Sequence, residues 1–119
     1  MMTMNAEQTA LEIAKALDMK QADDIRIFDV KEISGVTDFY VVATGTSAPH
    51  LKALIAETQR HMKKLDVASY RTSGTSDSGW VVVDYIHAVA HVFSPEARAY
   101  YNIERLWAKA REVQFHPER

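Results

Sequence analysis

The stretch that decides the fold is GWVVVDYIHAVAHVFSPEARAYYNIERLW, Gly79 to Trp107. It reads as two adjacent strands followed by a capped helix. Side chains alternate across a strand, so Trp80, Val82, Asp84 and Ile86 share one face and Val81, Val83 and Tyr85 the other. A turn at Ile86–His87 would set Val82 opposite His91, Trp80 opposite Phe93 and Asp84 opposite Val89. One face then carries Val81, Val83, Tyr85, Ala88, Ala90 and Val92, which suits burial under helices. The other carries Trp80, Phe93, Asp84 and His91. An aromatic pair beside an acid and an imidazole is poor core and good contact surface, so this face is the candidate functional one.

Working outward, Ser94–Pro95–Glu96 orders a cap, a first-turn proline and an acid, and predicts a helix start. Asn102 is a candidate cap for a further turn, in which Ile103, Leu106 and Trp107 form an i, i+3, i+4 apolar triplet. Beyond it, residues 109–119 lose periodicity and are expected to fray. Upstream, Thr72 to Gly79 (TSGTSDSG) reads as a polar, mobile loop. Val67 to Arg71 is a candidate short strand.

The first half supplies the remaining elements. Asn5 to Met19 is amphipathic, with Ala10, Ile13, Ala14 and Leu17 on one stripe and Asn5 as a possible N-cap. Asp23 to Val30 alternates as a strand, and Ser34–Gly35 signals a turn. Asp38 opens DFYVVATG, whose continuous apolar run suits a central strand covered on both faces. A helix over about Ala48 to Leu65 follows, capped by Thr46 or Ser47, with Pro49 in its first turn. Its buried stripe is Leu51, Leu54, Ile55, Thr58, Met62 and Leu65. The order predicts an α/β fold: a mixed sheet sandwiched by helices, with parallel pairing across the long helix and an antiparallel pair at the end. A single domain is expected over 1–119, with its core at about 6–108.

Composition narrows the class. The chain has 119 residues, enough for a real core, and its 47% hydrophobic and 25% charged residues are those of an ordinary globular protein. No apolar run approaches the roughly 20 residues that span a bilayer, and the N-terminus lacks the features of a secretory signal, so no membrane partner is expected. With no cysteine there are no disulfides or thiolate metal sites, and a cytoplasmic location is the default. A net charge of −2 argues against direct DNA binding, which draws its affinity from phosphate contacts. The short basic cluster at His61–Lys64 is explained by its place at a helix C-terminus.

Candidate chemistry is sparse. The strand–Gly45–Thr46–Ser47–helix unit has the shape of an anion site, yet it lacks the P-loop spacing, and a chain turn with a helix cap explains it better. Metal-dependent nucleotidyl transfer needs paired acids on one strand face, and Asp84 is flanked there by Val82 and Ile86. His87 and His91 would lie about 13 Å apart on a strand, too far to share a metal. There is no H-E-x-x-H pair and no G-x-S-x-G elbow. No catalytic residue, metal site or cofactor is therefore assigned. Asp84 keeps two readings: a strand acid paired with a local Lys, Arg or His91, or an exposed contact beside Trp80, the composition of a binding hot spot.

DFYVVATGTS, GWVVVDY, HVFSPEAR and YYNIERLW resemble, in this order and at similar spacing, the ribosomal silencing factor family, also called Iojap or RsfS. The resemblance runs from about Ala6 to Trp107. It implies a non-enzymatic α/β protein with a nucleotidyltransferase-like fold lacking the catalytic acids. It further implies a translational repressor that binds the large ribosomal subunit through ribosomal protein L-fourteen and sterically blocks joining of the small subunit. Homodimers are also implied. Carried over by motif, Trp80 and Asp84 become the foremost partner-binding candidates, with His91, Phe93 and Tyr101 beside them, while Trp107 is assigned to the core. The chain departs from the family pattern at Ile86–His87, where isoleucine's aversion to positive φ predicts a longer or bulged loop. Two rival classes are a nucleotide-handling enzyme and a homodimerisation scaffold.

Overall fold

Helix α1 (Ala6–Met19) begins where Asn5 and Gln8 exchange side-chain and backbone bonds: Gln8 N–H donates to Asn5 Oδ1 at 2.8 Å and Asn5 N–H to Gln8 Oε1 at 2.9 Å. This capping box satisfies two donors that a helix start leaves bare. Its stripe of Ala10, Ile13, Ala14 and Leu17 is fully buried. Strands β1 (Asp23–Asp29) and β2 (Phe39–Thr44) follow, then helix α2 (Ala48–Lys64). After these come β3 (Arg71–Thr75), β4 (Trp80–Asp84), β5 (Ala88–Phe93), α3 (Pro95–Tyr101) and β6 (Arg111–Val113). Short 3-10 turns occupy Ser76–Ser78 and Ile103–Trp107. The computed structural model describes residues 4–117.

The strands form one mixed sheet in the order β3-β4-β5-β2-β1-β6. Strand β2 lies at its centre, parallel to β5 and antiparallel to β1, as its continuous apolar run demands. The crossover between the parallel partners passes through α2 and the β3–β4 hairpin. The β4–β5 register is the one the alternation predicts: Trp80 pairs with Phe93, Val82 with His91 and Asp84 with Val89. On one face, Val83, Tyr85, Ala88, Ala90 and Val92 join Ile27, Phe39, Val41 and the stripes of α1 and α2 in the main core. The opposite face holds a second, smaller core of Phe28, Val30, Val42, Phe93 and Trp107.

Several expectations need correction. The strand anticipated at Val67–Arg71 begins where that one was to end, and runs through the supposed loop as Arg71–Thr75. Pairing with β4 outweighs weak local propensity there. Gly74, at φ +82°, makes it possible: a Cβ would lie 2.2 Å from the Trp80 carbonyl oxygen. Within the segment expected to fray, Arg111–Val113 form β6, pairing Ile27 with Val113 and Asp29 with Arg111, while residues 114–117 carry no regular structure and the last two lie outside the described residues. Strand β6 covers an edge of β1 that would otherwise be bare, and Arg111 ties it to Asp29 (2.9 Å) and Glu7 (3.0 Å).

The loop between β4 and β5 is tight, and Ile86 does take a positive φ of 72°. His87 N–H donates to Tyr85 O at 2.8 Å, closing a three-residue turn on Ile86. The Ile86 amide donates to Asp84 Oδ1 (2.7 Å), and Thr37 Oγ1 donates to the Ile86 carbonyl (2.9 Å). These bonds hold an isoleucine where its side chain disfavours the backbone. Leu65, at the C-cap of α2, is 40% exposed and outside the buried stripe. Leu106 is exposed too: a triplet at i, i+3, i+4 buries together on an α-helix, and this segment is a 3-10 turn.

Candidate protein-docking surface

Register places three rows of side chains on the sheet face opposite α1 and α2. Arg71, Asp84, Val89, Tyr40 and Phe28 form one; Ser73, Val82, His91, Val42 and Arg26 the next; Thr75, Trp80, Phe93 and Thr44 the third. The chain after β5 folds back over half of this face. Ser94 Oγ accepts from Ala97 N–H (3.1 Å) and starts α3, and Asn102, at φ 45°, stops it. Trp107 then lands on Tyr40, stacked at 4.1 Å between centroids, with Phe28 at 5.6 Å beneath it. The assignment of Trp107 to the core holds, at 8% exposure.

One arginine, its side chain only 10% exposed, pins this covering segment. Arg98 Nε and Nη2 donate to Glu104 (2.8 and 3.2 Å), and Nη1 donates to Thr44 Oγ1 and the Asp24 carbonyl, each at 2.8 Å. Arg26 adds a second cation on Glu104 at 3.3 Å. The hydrogen bond from Arg98 holds the Glu104 carboxyl below its ordinary range, against the opposing effect of burial. A planar guanidinium satisfied on this many sides fixes α3 to the ends of β1 and β2.

The uncovered half of the face is organised around Trp80. Its indole stacks on Phe93 at 5.1 Å, and Tyr101 leans on it at 4.7 Å. The indole N–H donates to His91 Nδ1 at 3.1 Å. His91 Nδ1 is thereby an acceptor, which fixes the neutral tautomer with hydrogen on Nε2. Burial among Tyr40, Trp80 and Trp107 lowers the imidazole pKa to about 4. At neutral pH the ring is thus an uncharged strut for the indole. Beside it, a shallow groove of about 320 Å³ is lined by Ser73, Gly74, Ser78, Trp80, Val82 and Tyr101.

The sequence candidates divide on this geometry. Trp80, Asp84 and His91 are half-buried and Tyr101 is exposed, so all four reach the surface. Phe93 does not: at 1% exposure it is the floor under the indole, because α3 starts directly over the end of β5. Asp84 spends one oxygen on the Ile86 amide, and it makes no ion pair among the described residues. Of the two readings of Asp84, the pairing with a local Lys, Arg or His91 is therefore absent there. Ser73 and Gly74 were missed as groove walls because their stretch read as loop. Arg98 was missed because an arginine on a short helix carries no signal of burial.

At Gly45–Ser47 the turn is closed by the chain itself. Thr46 N–H donates to His50 Nδ1 (2.9 Å), His50 N–H to Ser47 Oγ (3.1 Å) and His50 Nε2–H to the Lys20 carbonyl (2.7 Å). This is the helix-cap reading, with those amides already taken. Among the described residues, no group of three or more His, Asp or Glu side chains is placed to hold a metal ion, and no helix is long and apolar enough to cross a membrane.

Fold and surface together define a small mixed α/β protein that presents a rigid, half-open aromatic face beside a carboxylate. The chain belongs to the ribosomal silencing factor family, RsfS: the model described as ribosomal silencing factor during starvation matches residues 3–119. The ribosomal silencing factor of Halalkalibacterium halodurans is 32% identical over 110 residues, covering 92% of this chain and 94% of that one. A mouse protein named mitochondrial assembly of ribosomal large subunit protein 1 is 30% identical over 98 residues, 80% of this chain and 43% of its own length. A crystal structure of a Chromobacterium violaceum protein superposes with a TM-score of 0.85 at 29% identity, covering 98% of both chains. Silencing factor is a regulatory rather than a catalytic designation.

Proposed function

We propose that this protein represses translation by docking its Trp80 face on ribosomal protein L-fourteen of the large subunit, occupying volume that the small subunit needs in order to join. The observation that carries this reading is the state of Trp80. The indole is half-exposed, stacked on Phe93, flanked by Tyr101 and fixed by the His91 bond, so it is pre-oriented and loses little freedom on binding. Asp84, opposite Arg71 in the register, makes no ion pair among the described residues, so its carboxylate at the same face suits a positively charged protein. The net charge of −2 disfavours indiscriminate RNA binding. Membership of the silencing-factor family supports the repressor role, and the mouse relative's name points to the large subunit. A cytoplasmic site of action goes with this reading, as does a homodimer only if it leaves the Trp80 face free.

The test is co-sedimentation with purified large subunits together with a subunit-joining assay. Trp80→Ala is expected to weaken binding by at least about 2 kcal/mol, roughly 30-fold, and to restore joining. Equal co-sedimentation of the variant and the wild type would refute the docking face.

A further inference from the structure

The sheet has two edges, and they are finished differently. Strand β6 is three residues long, and Arg111 and Glu112 on it are engaged in ion pairs with Asp29, Glu7 and Arg26. A short, charged edge of that kind resists pairing with another chain. Strand β3 is the opposite: five residues in unbroken antiparallel register with β4, every one exposed. Its sequence, RTSGT, contains no lysine or proline and no bulge interrupts it.

The groove beside Trp80 opens onto this edge. Ser73 and Gly74, both small, form its β3 wall, so a chain lying along β3 can reach Val82, Trp80 and Tyr101 across them. The charges around it favour a cationic visitor. Asp77 follows β3 in the 3-10 turn, Asp84 stands opposite Arg71 in the hairpin register at the other end, and residues 71–84 carry these two acids against the single arginine. A second copy of the chain would bring the same carboxylates to the contact.

From this placement we propose that β3 is the edge on which the partner docks by strand addition: an extended, basic protein segment pairs with Arg71–Thr75 as a seventh strand and places an apolar side chain in the groove between Trp80 and Tyr101. Backbone pairing supplies affinity and the groove supplies selectivity. This rests on the docking reading above and names the form of the segment that the same surface receives.

The experiment is amide hydrogen exchange on the full chain, alone and in complex with purified large subunits, with Ser73→Phe and Trp80→Ala as variants. Ser73 is exposed on a strand, where phenylalanine is well accommodated, so Ser73→Phe fills the groove while the fold is kept. Strand addition predicts that exchange within residues 71–75 slows at least tenfold in the complex and that Ser73→Phe weakens binding at least tenfold. Unchanged exchange of β3 in a complex that Trp80→Ala still abolishes would overturn strand addition and leave the docking face standing. Full binding by Trp80→Ala would instead sink the docking face itself. Protection of β3 that rises with the concentration of the protein alone would show self-pairing and also overturn the proposal. So would loss of β3 protection when RNA is stripped from the complex and protein contacts are retained.

Discussion

Replacing Arg98 with methionine tests how the aromatic face is held together. Methionine keeps the apolar stem of the side chain and removes the guanidinium. Lost are two bonds to Glu104, one each to Thr44 and the Asp24 carbonyl, and the ion pair with the Asp24 carboxylate at 3.3 Å. Glu104, whose side chain is 18% exposed, keeps only the longer contact from Arg26 at 3.3 Å. Breaking a fully buried ion pair from one side costs about 3–5 kcal/mol. Residual exposure and the Arg26 contact bring the expectation down to about 2–3 kcal/mol. For a chain of this size that lowers Tm by roughly 10 °C. The penalty depends on pH with a definite sign. Glu104 has a lowered folded-state pKa, so its contribution is complete above its ordinary value of 4.5 and is lost as pH falls through the folded value. Wild type and variant should therefore differ most near neutrality and converge in acid, as followed by urea unfolding at pH 7 and pH 3. Changing both partners to methionine should recover part of the loss. A Tm within about 2 °C of wild type at pH 7, or a gap that does not change with pH, would refute the assignment of Arg98 as the pin.

At Asp84, Asn keeps an acceptor for the Ile86 amide and removes the charge. Asp84→Asn should hold stability within about 0.5 kcal/mol and weaken docking, whereas Asp84→Ala should lose about 1 kcal/mol of stability as well, both read by thermal unfolding beside co-sedimentation. The His91 imidazole resonances should not titrate between pH 8 and pH 5, since burial lowers its pKa to about 4. Because the unfolded chain takes up that proton near pH 6.5, stability should fall on acidification from 6.5 towards 4, by roughly 3 kcal/mol, and His91→Gln should remove that part of the slope.

Much of the site was readable before any coordinates because it lies on two strands that are neighbours in sequence. Alternation over Trp80–Asp84 and Ala88–Phe93 about a turn at Ile86–His87 determined which residues face each other, and Trp80, Asp84, His91 and Phe93 do share a face, although that turn is tight where a longer or bulged loop was expected. Depth was not readable. Phe93 and His91 sit on the same strand face two residues apart, and one is sealed while the other is half-open, because α3 leaves from the end of β5. The Trp80–His91 bond, which keeps the indole in place, needed side-chain geometry that no spacing rule contains.

Sequence by itself determined the α-helices and where they start, the central apolar strand, the β4–β5 register and the aromatic face, since each follows from local periodicity, cap chemistry and the twofold alternation of a strand; the cap read at Asn102 does not form, its side chain making no cap bond. Tertiary structure alone decided the two edges. Strand β3 forms from a polar stretch because β4 offers it a ladder, and β6 forms from an aperiodic tail because β1 lies beside it, 82 positions away at the Asp29–Arg111 contact. Hydrogen-bonding need at a sheet edge is a property of the neighbour in space, and it leaves no period in the segment that answers it.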